Sequence, residues 1–260
     1  MLHQALALLL SLVIGIFSYK RKSITVSGFI TLITICSLFV FTDKIELLAI
    51  IFYMFASSSL LTKIFPHDST TEKIVAKSGA RDYIQALANL GTATALFLLY
   101  ILTVNNIFLI GMIGSVASAN ADCWASEIGG SSKKMPRMIT NLKPIQKGIS
   151  GGITLLGTMG GFFGCIFILL MSYLTIDITL QESLFSFNGI IATFIGGISG
   201  LFLDSYLGAW FQALYLKDNE LTEKPNGHLT KGIVWINNDM VNFLSTLFAS
   251  MISMLLFSII

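Results

Sequence analysis

The residues able to do chemistry in this chain are carboxylates placed where a charge is costly. In "NADCWASEIGG", residues 120–130, Asn120, Asp122 and Glu127 interrupt an otherwise apolar stretch. Asp204 does the same in "LDSYLGAWFQ", and Asp239 in "NNDMVNFL". A carboxylate at the centre of a bilayer costs about 2.5–3.5 kcal/mol on insertion scales. Carboxylates brought together also repel one another. A divalent cation relieves both penalties. Oxygen donors with no histidine beside them, and with Cys123 matching no metal spacing, favour Mg²⁺ over zinc. His3 is terminal, and His67 and His228 fall in connections, so none of the three receives a role.

A second group of residues supplies positive charge. "SSKKMPRMITNLKPIQKGISGG", residues 131–152, carries Lys143 and Lys147, then Gly148, Gly151 and Gly152, which run into a long apolar segment expected to be helical. The free N–H groups and positive dipole end of a helix N-terminus bind phosphate, and glycine lets the backbone come close to a ligand. Lys133 and Lys134 read more simply as topology and headgroup residues. There is no GxxxxGK[ST] sequence, which excludes a P-loop enzyme. Phosphoryl transfer needs mainly positioning and charge neutralisation. Carboxylates and phosphate-binding groups at one membrane face therefore predict a phosphate-handling centre. Its depth suits a lipid acceptor that enters laterally.

These residues must be held by membrane helices. The chain has 260 residues, of which only 12% are charged and 54% hydrophobic; a soluble domain carries about 25% charged residues. A spanning helix needs about 20 mostly apolar residues. Eight candidates result: 2–19, 24–42, 45–65, 83–104, 107–128, 149–174, 186–215 and 235–259. Fifteen of the 16 Lys and Arg residues, Lys73 among them, then fall on alternate connections, and only Lys44 falls on the opposite side, where the last connection is a short stretch near Asp177 to Glu182. By the positive-inside rule the basic side is cytoplasmic and both termini lie outside. The first apolar run precedes its basic residues, the reverse of a secretory signal, and reads as a retained helix. The expectation is an all-α, multi-pass bundle of about eight transmembrane helices, one domain over 1–260, in the cell membrane, with a membrane lipid and no nucleic acid as partner. Cys36, Cys123 and Cys165 match no metal spacing and read as small buried residues.

On these helices the polar residues form stripes. Arg81, Gln85, Asn89 and Thr92 share one face of the fourth; Ser115, Ser118, Asp122 and Ser126 one face of the fifth; Gly197, Gly200, Asp204 and Gly208 one face of the seventh. Asn238 and Asn242 open the eighth. All converge on the basic side. Small-residue stripes also serve plain helix packing, and lone amides serve as interhelical glue.

The segments "GARDYIQALANLG" (79–91), "ANADCWASEIG" (119–129), "MITNLKPIQKGISGGITLLG" (138–157), "LDSYLGAWFQ" (203–212) and "NNDMVNFL" (237–244) resemble the DUF92 / TMEM19-like membrane proteins, over a core of about 79–244. That family includes the plant phytyl-phosphate kinase. The resemblance implies an integral membrane enzyme of isoprenoid or lipid metabolism, which moves a phosphoryl group from a nucleoside triphosphate, CTP or ATP, to an isoprenyl lipid or its phosphate. Carried over residue by residue, it implies that Asp122 and Asp204 bind Mg²⁺, with Glu127 or Asp239 as a further ligand or base. Lys143, Lys147, Gly148, Gly151 and Gly152 would bind phosphates, and Arg81, Asn89 and Asn242 would orient the substrate. Cys123 stands where Thr is usual, and Ile149–Ser150 replace a more polar pair. These changes touch acceptor specificity and leave the carboxylates and glycines in place.

A transporter or flippase for a phosphorylated lipid or small anion is the competing expectation, since intramembrane carboxylates also suit proton coupling. It requires polar residues reaching both leaflets or a midplane site between inverted repeats. Here the polar residues gather at one side. A purely structural scaffold would leave the carboxylates uncompensated.

Overall fold

The structure, a computed structural model, describes residues 2–65, 74–77, 79–179 and 184–260. His67, Lys73 and Glu182 lie outside them. Among the described residues eight α-helices follow one another: α1 (Leu2–Lys20), α2 (Val26–Phe41), α3 (Ile45–Ile64), α4 (Tyr83–Thr103), α5 (Asn106–Gly130), α6 (Leu155–Tyr173), α7 (Phe187–Trp210) and α8 (Asn238–Ile259). Seven are long and apolar enough to cross a membrane. The eighth, α2, has 16 residues, about 24 Å at 1.5 Å per residue, against a hydrocarbon core of about 30 Å. Such a helix crosses with local thinning of the bilayer or with snorkelling of flanking residues such as Lys22 and Lys44. The protein is thus a multi-pass helical membrane bundle.

Local chemistry sets the helix starts. Asp82 opens α4 with a full capping box: its carboxylate accepts from Gln85 N at 2.9 Å, while Gln85 Oε1 accepts from Asp82 N at 3.1 Å. Thr25, Asn105, Thr154 and Asn237 cap α2, α5, α6 and α8 through side-chain oxygens. Helix α4 stops at Val104 in the left-handed conformation, φ 54°.

Helix α5 is the centre of the bundle, packed by α3, α4, α6, α7 and α8. Its residues from Leu109 to Ala121 are all buried. The small residues at 111, 114, 115, 117, 118 and 119 are what let so many helices reach it. Farther from the basic connections the core is apolar, with Phe39 stacked on Phe97 at 3.8 Å between ring centroids. Helix α1 packs chiefly on α2 and leaves much of its apolar surface exposed.

Three boundaries differ from expectation, all on the basic side. The sixth helix begins at Leu155 instead of 149, because Gly152–Ile153 (β2) pairs antiparallel with Arg137–Met138 (β1). The seventh ends at Trp210 instead of 215. Leu214–Lys217 (β3) turns back through Asp218 and Asn219, both at positive φ, to pair with Glu220–Thr222 (β4). Two consecutive positive-φ residues make the tight turn that strand twist favours. His228–Lys231 (β5) completes a sheet of order β4-β3-β5. The eighth helix begins at Asn238, three residues later than expected. The helical class stands, with two small sheets added.

The basic connections therefore form a packed layer. Ile74, Ile149 and Leu214 make a second apolar core there, joined by Met138, Ile145 and Leu221. Backbone hydrogen bonds lace it: Glu223 N to Ile74 O at 2.8 Å, and Ala213 N to Ile236 O at 2.9 Å.

Candidate active site

A cavity of about 700 Å³ lies between this loop layer and the ends of α3 to α8. Asp122 from α5 and Asp204 from α7 both line it, close enough for each to feel the other's charge. Glycine brings their helices together. A side chain at Gly200 would overlap the Ser118 hydroxyl, and one turn further along each helix stand Asp204 and Asp122.

The two carboxylates are supported differently. Ser245 Oγ lies 3.2 Å from Asp204 Oδ2. With its amide nitrogen turned toward the same oxygen, Asn242 donates to it at 3.1 Å. Asp122 receives no hydrogen bond from any described residue. A carboxylate at this depth needs a cation or water to compensate it, and it faces a cavity that admits either.

Expected third ligands are engaged elsewhere. Glu127 is buried, lines the cavity and accepts from Thr62 Oγ1 at 2.8 Å. Asp239 lines it too, in the first turn of α8, but Lys77 Nζ lies 2.6 Å from its Oδ2 and 2.8 Å from Asp82 Oδ2. Burial alone would lower the Lys77 pKa; the hydrogen bonds to Asp239 and Asp82 outweigh it and hold the ammonium above its ordinary value. Burial pushes Asp82 up, and Lys77 with the Gln85 amide more than reverses this. Among the described residues no three carboxylates, histidines or cysteines gather as a metal cluster. The donor set is two carboxylates on neighbouring helices. That fits Mg²⁺, which is bound by one or two carboxylates with substrate phosphates completing its shell, and does not fit an all-protein cage.

Cations surround the carboxylates. Arg81 lines the cavity, and its backbone is pinned to the α1–α2 turn, Arg81 N to Ser23 O and Thr25 N to Arg81 O, both 3.0 Å. Its guanidinium makes no ion pair with a described residue. Lys147 lines it too, with Nζ 3.4 Å from Gly130 O. Lys22 and Lys63 add two more positive charges. Gly148, Gly151 and Gly152 form the adjacent wall as a loop. Gly148 and Gly151 take φ 88° and 87°, and a Cβ on Gly151 would stand 2.6 Å from Ala209 Cα. The glycines thus do not open α6 directly. That helix starts after them, with Gly157 N already capped by Thr154 Oγ1 at 2.9 Å, yet Thr154 and Thr158 still border the cavity.

Three expected residues are not in the cavity wall. Lys143 is exposed on a tight turn where Asn141 Oδ1 accepts its N–H and Met138 N donates to its carbonyl, so the chain reverses before Lys147. Asn89 folds back to donate to Gln85 O at 2.9 Å. Asn242 acts on Asp204 and not on the cavity directly.

Lys22, Lys63 and Glu223 line the cavity although they stand outside the expected set. Glu223, just after β4, is buried against Ser150, whose hydroxyl donates to Oε1, and lines the cavity. Burial pushes its carboxyl above the ordinary range, with the Ser150 hydrogen bond opposing. Lys231 nearby is pushed down by burial and donates to Gly208 O at 3.1 Å. A glutamate in a polar connection carries no local signal; only the hairpin brings it here.

The family model described as "Integral membrane protein DUF92" matches residues 9–250. The match thus extends beyond the 79–244 core into the first three helices. Protein PGR of Arabidopsis thaliana is 30% identical over 95% of this chain and 93% of its own length. The uncharacterized membrane protein MJ0933 of Methanocaldococcus jannaschii is 33% identical over 68% of this chain and 63% of its own. Protein VTE6, chloroplastic, of Arabidopsis thaliana is 26% identical over 58% of this chain and 39% of its own. No solved structure matches.

Proposed function

The chain belongs to the DUF92 family of integral membrane proteins, and from that premise we propose that it transfers a phosphoryl group from a nucleoside triphosphate, CTP or ATP, to an isoprenyl lipid or its monophosphate at the cytoplasmic face of the cell membrane. One observation carries this reading: two carboxylates on adjacent helices, and several cations that pair with no carboxylate among the described residues, line one cavity at the basic end of the bundle.

In this reading Asp122 and Asp204 hold Mg²⁺, which when bound neutralises the triphosphate oxygens. Arg81, Lys147 and Lys63 bind and orient phosphates. The loop at Gly148–Gly152 lets backbone approach them. The acceptor oxygen forms a new P–O bond to the γ-phosphorus, the β–γ bridging bond breaks, and the nucleoside diphosphate leaves. When the acceptor is an alcohol, its proton passes to a cavity carboxylate, which in this reading is Glu127. A phosphate acceptor releases none and needs no base.

Transport is disfavoured by the packing. Away from the basic end the bundle is filled by fully buried Phe39, Phe97, Ile110 and Ile113, with no polar counterpart of the carboxylate cluster among the described residues.

The test is direct. Purified protein with Mg²⁺ is given γ-labelled CTP or ATP and a panel of isoprenyl alcohols and monophosphates, with Asp122→Asn as control. Label entering lipid only when Asp122 is present is the expected result. Folded protein that transfers none to any acceptor overturns the proposal and turns attention to flux measurements in liposomes.

A further inference from the structure

A second hollow, of about 330 Å³, opens between α1 and α3. Val13, Ile14 and Phe17 form one wall; Phe52, Phe55 and Ala56 form the other. It adjoins the carboxylate cavity, with Ser23, Phe55, Ser59 and Lys63 as a shared wall. Its chemistry changes along its length. Phe52 and Lys63 are eleven residues apart on one helix, so the hollow runs about 16 Å along α3, roughly half the depth of a hydrocarbon core of about 30 Å. The deep part is wholly apolar. The end nearest the cavity carries Arg21 and Lys63. The Arg21 guanidinium is held 5.1 Å over the Phe17 ring centroid, a cation–π contact that fixes a positive charge at the mouth.

We propose that this groove seats the hydrocarbon tail of a single-chain isoprenyl monophosphate, whose phosphate lies between Arg21 and Lys63 and enters the cavity of Asp122 and Asp204. The identity of the ligand rests on the phosphoryl-transfer reading; the groove itself rests on the wall it shares with the cavity and on the change from apolar wall to cationic mouth. At about 330 Å³ the groove has room for one hydrocarbon chain. A two-chain phospholipid would leave its second chain without a place in it. The loose packing of α1 lets a tail enter sideways from the bilayer: Val13 and Phe17 are 55% and 54% exposed.

The experiment uses the full chain in phosphatidylcholine nanodiscs with diazirine-tagged farnesyl phosphate as probe, and locates the photolabel by peptide mass spectrometry. Ala56→Trp and Val13→Trp fill the groove from opposite walls, so one variant suffices if the other does not fold. Label is expected on the α1 and α3 segments around Val13 and Ala56. Untagged farnesyl phosphate should compete for it, and phosphatidic acid should not. Either tryptophan should reduce it at least about tenfold, equivalent to about 1.4 kcal/mol. Label spread over the outer faces of α6 and α7, label unmoved by the folded tryptophan variants, or equal competition by phosphatidic acid overturns the proposal. Phosphoryl transfer is measured in parallel. Groove labelling without transfer keeps the groove and refutes the kinase reading; transfer without groove labelling does the reverse.

Discussion

Gly200 packs against Ser118 with no room for a side chain between them, and this contact sets the spacing of Asp204 and Asp122 one turn away. An added Cβ would also meet Ala249 at 2.8 Å, so α7 cannot swing aside without pressing on α8. Gly200→Leu should therefore separate α5 from α7. Overpacking of this kind costs about 1–3 kcal/mol. The expected outcome is a lower melting temperature with helicity retained, and loss of phosphoryl transfer out of proportion to the loss of stability. A variant that melts lower yet transfers at the wild-type rate would show that the seam does not position the carboxylates.

The two carboxylates make metal binding visible without any activity measurement. If both hold the ion, Mg²⁺ raises the melting temperature of the native protein, by about 2.7 kcal/mol of stability at a hundred times the dissociation constant. Asp122→Asn and Asp204→Asn should each abolish most of that increment. In chelator, Asp122→Asn should be no less stable than the parent, because it removes one of two like charges and breaks no hydrogen bond from a described residue. A full Mg²⁺ increment in both variants would refute the assignment.

Lys77 ties Asp239 and Asp82, and so joins the loop before α4 to the start of α8. Asp239 has only 7% of its side chain exposed, but Lys77 has 37%. Breaking a fully buried pair costs about 3–5 kcal/mol; solvent screening at the exposed lysine reduces this to about 1–2 kcal/mol. Lys77→Ala should lower stability by that amount, and Asp239→Asn in the Lys77→Ala background should recover part of it. If Asp239 were instead a metal ligand, the second substitution would cost Mg²⁺ stabilisation, which the same melts report.

The helices and the carboxylate pair were legible because each rests on a cost that local composition reveals. Twenty apolar residues exclude most alternatives to a span, and alternating basic connections order the spans. Asp122 and Asp204 declare themselves by standing in apolar runs. The loop layer was not legible for the opposite reason. Residues 211–215 are apolar enough to extend a helix, and only pairing of β3 with β4 and β5 makes them leave it. Asp218–Asn219 is a local turn signal, but it lies beyond the apolar run and does not mark where the helix ends. Lys143 and Lys147 would share a helical face at their spacing; after the turn at Leu142, φ 57°, the chain instead runs back extended beside residues 136–138, which separates them. Glu223 meets Ser150 across more than seventy residues, a pairing no local pattern encodes.

That pairing gives the loop layer a pH response. Burial holds the Glu223 carboxyl above its ordinary 4.5, against hydrogen bonds from the Ser150 hydroxyl and the backbone of Ser150 and Ala76, and against the charge of Lys231 on β5. The folded layer therefore binds this proton more tightly than the unfolded chain does. The resulting stability is full below 4.5 and declines as pH rises through the raised folded value. Lys231, itself pushed down by burial, acts at a more alkaline pH and in the opposite sense. Backbone hydrogen-exchange protection across residues 211–237, corrected for intrinsic rates, should be higher at about pH 5 than at about pH 8. Glu223→Gln keeps an oxygen for the Ser150 hydroxyl and removes the charge, so its protection should hardly change between the two. A native layer equally protected at both would mean that the carboxylate is already compensated by a cation in the cavity, and chelator should then restore the difference.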